Sequence, residues 1–298
     1  MTSPSDTLEA LASFRDSQLQ KWPLARGNYD ALALVERRRF KVGALEGAFQ
    51  YNPARAVSTG AKIDAASINK RPCFLCSANR PAVQESLPVM PGWEFLLNPY
   101  PIFPLHFTIA CSEHKAQGEI PLEMAAMAET LPGMAIFYNG ARAGASAPDH
   151  LHCQAVMKSE LPLLVYLEEG GDLQVLPYDV VYETITPDME GMARLARIPS
   201  IAGIDKETHS PDAGLLNAFM WIGADGLLRV AVVIRSAHRP ACYSATEGER
   251  LMVSPGAVDV AGIVILPRKE DFERITPEMV AGIYSEVCVP PKNEGNAQ

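Results

Sequence analysis

Apolar residues in the first half of the chain fall into short runs typical of strands and one longer helical pattern. The strand-like runs lie at 93–98, 106–111, 134–139 and 150–157. Between Ile120 and Leu131 the apolar side chains instead recur at helical spacing, and Pro132-Gly133 ends that pattern. The patterns predict a mainly antiparallel sheet with one prominent helix packed against it.

The second half alternates strand and helix patterns in the same way, without an internal repeat at the residue level. Two apolar runs at 216–222 and 227–234 flank the turn dipeptide Asp225-Gly226, which predicts a hairpin. We therefore expect an α+β protein with mainly antiparallel sheets and flanking helices. Its two predicted parts are an N-terminal half (1–158) and a C-terminal half (159–298).

Composition and charge narrow the classes of function. The 298 residues are 48% hydrophobic, which allows one large core or two modest ones. A net charge of −9 argues against binding of long nucleic acid, because that affinity comes from Lys and Arg that neutralise phosphates. No apolar run approaches the ~20 residues that span a bilayer, and residues 1–6 lack the regions of a signal peptide. We therefore expect a cytoplasmic protein without a membrane partner.

Candidate chemistry concentrates at His150, His152 and Gln154, which stand two residues apart in a strand-like run. Side chains at this spacing share one face of a strand, so a metal ligand, a nucleophile and an amide donor would form one row. The small residues of 143–146 precede them and would expose backbone N–H groups to an anion. The alternative is that two of the six histidines simply lie close together on a half-buried strand.

A two-cysteine knuckle, Cys73-Phe74-Leu75-Cys76, supplies half of a tetrahedral metal site. Two further ligands must come from elsewhere in the chain. A redox pair would prefer a helix N-terminus beside a βαβ pattern, and 77–81 does not predict a helix. A cysteine pair without a metal is a second alternative.

The sequence resembles the galactose-1-phosphate uridylyltransferase branch of the histidine-triad superfamily. The family pattern N…G-x-S…H-P-H-x-Q corresponds here to Asn139, Gly144, Ser146, His150, His152 and Gln154. The family's C-x-x-C segment, base-binding strand end and S-x-D-H turn correspond, in the same order, to Cys73 with Cys76, Asn98, and Ser112-Glu113-His114.

The chain also departs from this family. Asp149 is inserted before the first histidine, Leu151 replaces the proline between the two histidines, and the interval from Asn139 to Ser146 is one residue shorter. The family's sugar-binding residues are not recognisable one for one, so the substrate does not transfer with the mechanism. A looser similarity of 254–262 to nucleoside-diphosphate-sugar and dinucleoside-polyphosphate phosphorylases favours a phosphorylase over a hexose-phosphate exchanger.

The resemblance implies a histidine-triad-like fold of two similar halves and a covalent mechanism. His152 would attack phosphorus and carry the nucleotide. Gln154, Ser146 and the backbone around Gly144 would donate hydrogen bonds to the phosphoryl oxygens. These roles are carried over from the family.

The same resemblance assigns the remaining candidate residues. Asn98 would lie near the base or ribose, and Asn139 would belong to the substrate-binding set. Arg55 resembles an arginine that the family places near phosphate, and as a lone arginine it is equally open to interpretation as a surface residue. His114 and His150 would complete a Cys2His2 zinc site, which leaves no position for water and is therefore structural.

We therefore expect a nucleotidyltransferase that moves a nucleoside monophosphate from a nucleotide sugar or dinucleoside polyphosphate to phosphate or a sugar phosphate. One alternative is a histidine-triad hydrolase, although such hydrolases usually carry a third histidine where Gln154 stands. Another is a non-catalytic, zinc-stabilised nucleotide-binding domain. The cationic segment 235–240 either completes the acceptor site or forms a solvated cluster, and the resemblance leaves open a homodimer with a shared site.

Overall fold

The computed structural model describes residues 4–60, 64–68, 70–201 and 214–291. Its strands are β1 (Glu36–Val42), β2 (Leu45–Tyr51), β3 (Ser86–Met90), β4 (Trp93–Leu97), β5 (His106–Cys111), β6 (Met134–Asn139), β7 (His152–Met157), β8 (Val180–Ile185), β9 (Leu216–Ile222), β10 (Leu228–Ile234) and β11 (Ile263–Leu266). Its α-helices are α1 (Pro4–Lys21), α2 (Pro23–Asp30), α3 (Ala56–Thr59), α4 (Ala65–Ile68), α5 (Glu123–Thr130), α6 (Pro162–Glu168), α7 (Met189–Ile201), α8 (Ala257–Val260), α9 (Lys269–Arg274) and α10 (Pro277–Val287).

A large antiparallel sheet organises the molecule. Its strands follow the order β3-β4-β5-β7-β6-β9-β10-β8, and each neighbouring pair is antiparallel. A smaller sheet has the order β1-β2-β11, in which β11 runs parallel to β2. The predicted α+β class with mainly antiparallel sheets is therefore confirmed.

The central strands of the large sheet are buried on both faces. All six residues of β6 are buried, as a continuous apolar run predicts. Met134, Ile136 and Tyr138 pack with α1, α2 and α5 in one core, whereas Ala135 and Phe137 point into a second core shared with the small sheet and α10. Helix α5 packs on β6 and β9, where the helical spacing predicted a helix against the sheet. Among the helices that the structure describes, none is long and apolar enough to cross a membrane.

The two predicted halves contribute strands to the same sheets. Strand β6 pairs with β9, with Asn139 opposite Asn217, and β2 pairs with β11. The site is therefore framed by segments far apart in sequence. The division into 1–158 and 159–298 stays a prediction.

Strand β7 begins at His152, two residues later than predicted. His150 lies in the preceding turn, where its backbone N–H donates to the carbonyl of Ala147 at 3.1 Å. Pro148 in that turn has no N–H to offer a ladder. The prediction that both histidines share one face of a strand is therefore wrong. His152 projects from strand β7, and His150 projects from the turn before it.

Arg235, at the end of β10, anchors the C-terminal segment from inside the protein. Only 3% of the residue is exposed. Its guanidinium donates to the side-chain oxygen of Asn217 at 2.8 Å and to four backbone carbonyls, those of Val287, Pro255, Ala237 and His238. Five donors directed at five oxygens fit the fixed fork of an arginine.

We expect Arg235→Met to cost about 3–5 kcal/mol in the free energy of unfolding, because the buried oxygens lose their donors. Arg235→Lys should recover only part of this, since an ammonium cannot reproduce the fork. Urea unfolding followed by tryptophan fluorescence measures both variants. The exposed Arg39 provides the control, as Arg39→Met should change stability by about 0.5 kcal/mol or less; equal effects at the two positions would contradict the assignment.

Candidate active site

A cavity of about 670 Å³ opens at the ends of β4, β6 and β7. Its wall includes the seven residues predicted to act on substrate: Arg55, Asn98, Asn139, Gly144, Ser146, His152 and Gln154. The four predicted metal ligands lie together outside this wall. The structure thus brings the two predicted sets into two neighbouring places, and the roles of the residues stay predictions.

His152 stands at the first position of β7 with 4% of its surface exposed. Its Nδ1 lies 2.8 Å from the backbone carbonyl of His150. A carbonyl oxygen only accepts, so Nδ1 carries the proton and Nε2 of the neutral ring has a lone pair. Burial, the largest cause, lowers the pKa of His152 to about 4. Nε2 has no hydrogen-bond partner among the residues that the structure describes.

Gln117 holds the backbone on which His152 sits. Its side-chain oxygen accepts from the His152 N–H at 2.9 Å, and its amide donates to the carbonyls of His152 at 3.1 Å and Asn139 at 2.8 Å. Gln117 is 7% exposed. It therefore ties the end of β6 to the start of β7. Sequence reasoning missed this residue, because a lone glutamine in a loop carries no pattern.

His106 fixes the orientation of Gln154. The His106 ring is fully buried, and its Nδ1 accepts from the Ile102 N–H at 3.1 Å. Nε2 must then carry the proton, which it donates to the Gln154 side-chain oxygen at 2.8 Å. Gln154, a lining residue of the cavity, therefore keeps its NH2 group as the end that can donate to a ligand. The sequence placed His106 in a strand and gave no sign of this role.

Asn98 also contacts this pair. Its amide lies 3.4 Å from the oxygen of Gln154 and 3.3 Å from Thr108 Oγ1. Its own oxygen accepts from the Tyr100 N–H at 2.9 Å, which fixes the turn after β4. Asn98 therefore lines the cavity and is held in place by hydrogen bonds to other groups of the protein.

The small-residue loop before β7 touches the C-terminal segment. Gly144 has φ of +97°, and a Cβ built there would lie 2.4 Å from the Cα of Gly256. Only glycine fits this conformation and this approach. Asn139 lies at the same junction and joins it to β9, because its side-chain oxygen accepts from the Ala257 N–H at 2.7 Å and from the Asn217 amide at 2.9 Å. Ser146 lines the cavity just beyond.

Arg55 is a half-buried residue of the cavity wall. Its Nη1 donates to the carbonyl of Tyr100 at 2.6 Å. Burial lowers its pKa to about 10, an effect that the charge of Asp259 opposes. Asp259 accepts from the N–H groups of Gly256 and Ile265, both at 2.9 Å, and burial raises its pKa to about 6. The structure thus places Arg55 beside a buried carboxylate on the cavity wall.

Cys73, Cys76, His114 and His150 form a compact cluster whose ligand atoms all lie within 4.8 Å of one another. His150 Nδ1 is 3.2 Å from Cys73 Sγ and 3.3 Å from His114 Nδ1, while Cys76 Sγ is 3.2 Å from His114 Nδ1. A tetrahedral ion with zinc-like bond lengths needs separations of about 3.3 Å between nitrogens and about 3.6 Å between sulfur and nitrogen. The donor set and its spacing therefore fit a bound metal ion.

The ring of His150 is also oriented from behind. Its Nε2 lies 2.7 Å from the carbonyl of Cys111, so Nε2 carries the proton and Nδ1 presents its lone pair to the cluster. This is the usual support for a metal-binding histidine. His150 therefore directs its ring to the cluster and its carbonyl to His152.

The fold is similar to that of a yeast enzyme of known structure. The structure of yeast Ap4A phosphorylase Apa2 matches with a TM-score of 0.61 at 17% identity, over 92% of this chain and 96% of that chain. Its complex with AMP gives a TM-score of 0.56 at 16% identity over 94% and 99% of the two chains. Its complex with Ap4A gives a TM-score of 0.58 at 15% identity, over 93% of this chain and 98% of that chain. This similarity confirms the predicted histidine-triad-like fold class.

Sequence comparisons add one partial match. A family model described as a domain of unknown function, DUF4922, matches residues 14–157. No curated protein matches the sequence significantly. The matched range contains both the cysteine–histidine cluster and His152.

We expect the His106 ring to make the fold sensitive to acid. Burial lowers its pKa to about 3, whereas an unfolded histidine has a pKa of about 6.5. Below about pH 6.5 the unfolded chain therefore binds a proton that the folded chain resists, and the free energy of unfolding falls as the pH drops. This one residue should account for about 2 kcal/mol at pH 5.

Urea unfolding at pH 7.5 and pH 5 measures this contribution. In His106→Gln the loss of stability between the two pH values should be smaller than in the wild type by about 2 kcal/mol. The other histidines are common to both proteins and cancel in the comparison. An identical loss in the two proteins would show that the buried ring is not the group that titrates.

Proposed function

We propose that this protein is a nucleotidyltransferase that works through a covalent nucleotidyl-histidine at His152. The donor would be a dinucleoside polyphosphate or a nucleoside diphosphate sugar. The acceptor would be phosphate or a sugar phosphate. The tautomer of His152 carries the proposal. Because Nδ1 of His152 donates its proton to the His150 carbonyl, Nε2 keeps a lone pair that can attack phosphorus. His152 lines the cavity of about 670 Å³.

The proposed reaction has two in-line steps. In the first, the lone pair of His152 Nε2 forms a bond to the α-phosphorus, and the bond from phosphorus to the bridging oxygen breaks. The leaving group departs with that oxygen and its phosphate. In the second step an acceptor phosphate oxygen attacks the same phosphorus, and the electron pair of the P–N bond returns to Nε2.

Three groups around His152 are suited to stabilise the transferred phosphoryl group. The NH2 of Gln154, the hydroxyl of Ser146 and backbone N–H groups near Gly144 would donate to its non-bridging oxygens. His106 supports this role of Gln154, because it occupies the amide oxygen and leaves the NH2 as the donating end.

The fold relatives support the donor class. The matched yeast protein is an Ap4A phosphorylase whose complexes contain AMP and Ap4A. These are a nucleoside monophosphate and a dinucleoside polyphosphate, which are the transferred group and one of the two donor types proposed here. Two interpretations compete with this proposal. A hydrolase would transfer the nucleotide from the histidine to water, and a non-catalytic binding domain would form no adduct. Cytoplasmic location and a homodimer also remain predictions.

We further propose that the metal ion of the cluster is zinc. Two thiolates and two imidazoles are a common zinc ligand set. When bound, zinc would stabilise the turn before β7, and a closed set of four ligands leaves no position for a reacting water. The chemistry would therefore belong to His152 and its neighbours.

Protein purified without chelators should contain about one zinc ion per chain. Cys76→Ser should lose the metal and lower the midpoint of thermal unfolding, since metal binding and folding are coupled. Cys242→Ser, at a half-buried cysteine that is not part of the cluster, should keep both. Metal analysis and thermal unfolding decide the matter, and a metal-free wild type of unchanged stability would contradict the proposal.

Incubation with Ap4A and a panel of nucleoside diphosphate sugars should yield a protein whose mass has grown by one nucleoside monophosphate. His152→Ala should form no adduct while it retains its circular dichroism spectrum. Gln154→Ala should still form it, about 10²–10³-fold more slowly, as expected on loss of one oxyanion donor. Cys153→Ala, a change at the buried neighbour of His152, is the matched control and should form the adduct. An adduct on His152→Ala would show that another residue is the nucleophile.

A further inference from the structure

The cavity wall is positively charged in a protein that is negative as a whole. The chain carries a net charge of −9. Among the described residues that line the cavity, however, three are cationic (Arg55, Arg71 and Arg239) and one is anionic (Asp259). Such a reversal of sign in a concave site favours an anionic ligand.

All three arginines of the wall contact other groups of the protein. Arg71 forms an ion pair with Asp149 at 2.6 Å. Arg55 donates to the carbonyl of Tyr100, and the charge of Asp259 raises its pKa against the effect of burial. Arg239 donates from Nε to the hydroxyl oxygen of Ser254 at 2.9 Å. Its guanidinium carbon lies 4.1 Å from the centre of the Tyr243 ring, so the planar group is held in one orientation.

Ser254 and His238 stand beside this guanidinium on the same wall. Because Ser254 accepts from Arg239, its own O–H proton is available to a third oxygen. The backbone of His238 is held by Arg235, whose Nη2 donates to its carbonyl at 3.3 Å. Burial, Arg239 and two further arginines lower the pKa of His238 to about 4, so the ring is neutral and offers an N–H.

This group of residues lies next to the loop that leads to His152. Ser254 is two residues before Gly256, which makes the close backbone approach to Gly144. The bond from the Ala257 N–H to Asn139 fixes the same junction. The C-terminal segment therefore lies beside the loop that precedes His152, the residue proposed to carry the nucleotide.

We propose that His238, Arg239 and Ser254 form a subsite for the phosphate group that leaves from the donor and for the phosphate that later replaces it. This inference rests on the nucleotidyl transfer proposed above and names its acceptor as a phosphate group. Arg239 supplies a planar fork suited to phosphate, and Ser254 and His238 supply neutral donors. In the second step a phosphate oxygen bonds to the α-phosphorus, the P–N bond breaks, and its electron pair returns to His152.

The test separates loading of the enzyme from its discharge. The adduct is prepared from the p-nitrophenyl ester of the transferred nucleotide, whose leaving group carries no phosphate. The loaded protein is then mixed with inorganic phosphate, and discharge is followed by mass spectrometry over a range of concentrations. Arg239→Gln should raise the phosphate concentration for half-maximal discharge by about 10- to 100-fold, the effect of removing a charge-assisted bond.

The ratio of phosphorolysis to hydrolysis gives a second readout. Water needs no anion subsite, so this ratio should fall in Arg239→Gln and, less strongly, in Ser254→Ala. Arg250→Gln is the matched control, because Arg250 contacts the same Tyr243 ring, at 5.7 Å, and is exposed. It should discharge like the wild type. A phosphate dependence that is equal in the wild type, Arg239→Gln and Arg250→Gln would overturn the subsite.

A separate binding measurement covers the case in which no adduct forms. Titration of the unloaded protein with inorganic phosphate or pyrophosphate should show binding that weakens about tenfold or more in Arg239→Gln and is retained in Arg250→Gln. Binding without any adduct would reject the nucleotidyl transfer and keep the anion site. An adduct whose discharge by phosphate is the same in the wild type and in Arg239→Gln would reject the subsite and keep the nucleotidyl transfer.

Discussion

The site depends on one backbone oxygen. The carbonyl of His150 accepts the proton of His152 Nδ1, while the ring of His150 turns the other way, donating to Cys111 and presenting Nδ1 to the cysteine–histidine cluster. The two histidines therefore adopt opposite tautomers, because in each ring the nitrogen that carries the proton is the one that donates to a backbone carbonyl. Any shift of the turn before β7 would disturb the cysteine–histidine cluster and the proposed nucleophile together.

A second chain of buried polar contacts joins the cavity to the C-terminal part of the protein. Asn139 accepts from Asn217 and Ala257, and Asn217 accepts from Arg235. Each of these side chains is satisfied by the next, and buried networks of this kind are sensitive to the loss of one member. This series of contacts crosses from β6 to β9. The pairing of these two strands and the shape of the cavity therefore depend on the same hydrogen bonds.

Local patterns and the family resemblance predicted much of this arrangement. Apolar runs gave strands β5 and β6 their observed bounds, and the resemblance named all the residues that meet in the metal cluster. The parallel pairing of β11 with β2 was out of reach, because it joins residues more than 200 positions apart with no local pattern. Gln117 and His106 were missed because a single buried polar residue leaves no periodic trace. Arg235 was expected either in the acceptor site or in a solvated cluster, whereas the structure buries it. The predicted start of β7 was wrong because the turn that begins at Ala147 extends to His150, the first residue of the strand-like run.

The spacing of the metal ligands along the chain has a consequence for the unfolded protein. His150 and Cys73 are 77 positions apart, and the segment between them carries Asn98 and His106. A metal ion held at both ends closes this segment into a large loop and removes conformational entropy from the unfolded chain, much as a disulfide does. The reducing interior of a cell would leave such a cross-link intact, and its strength would follow the supply of metal.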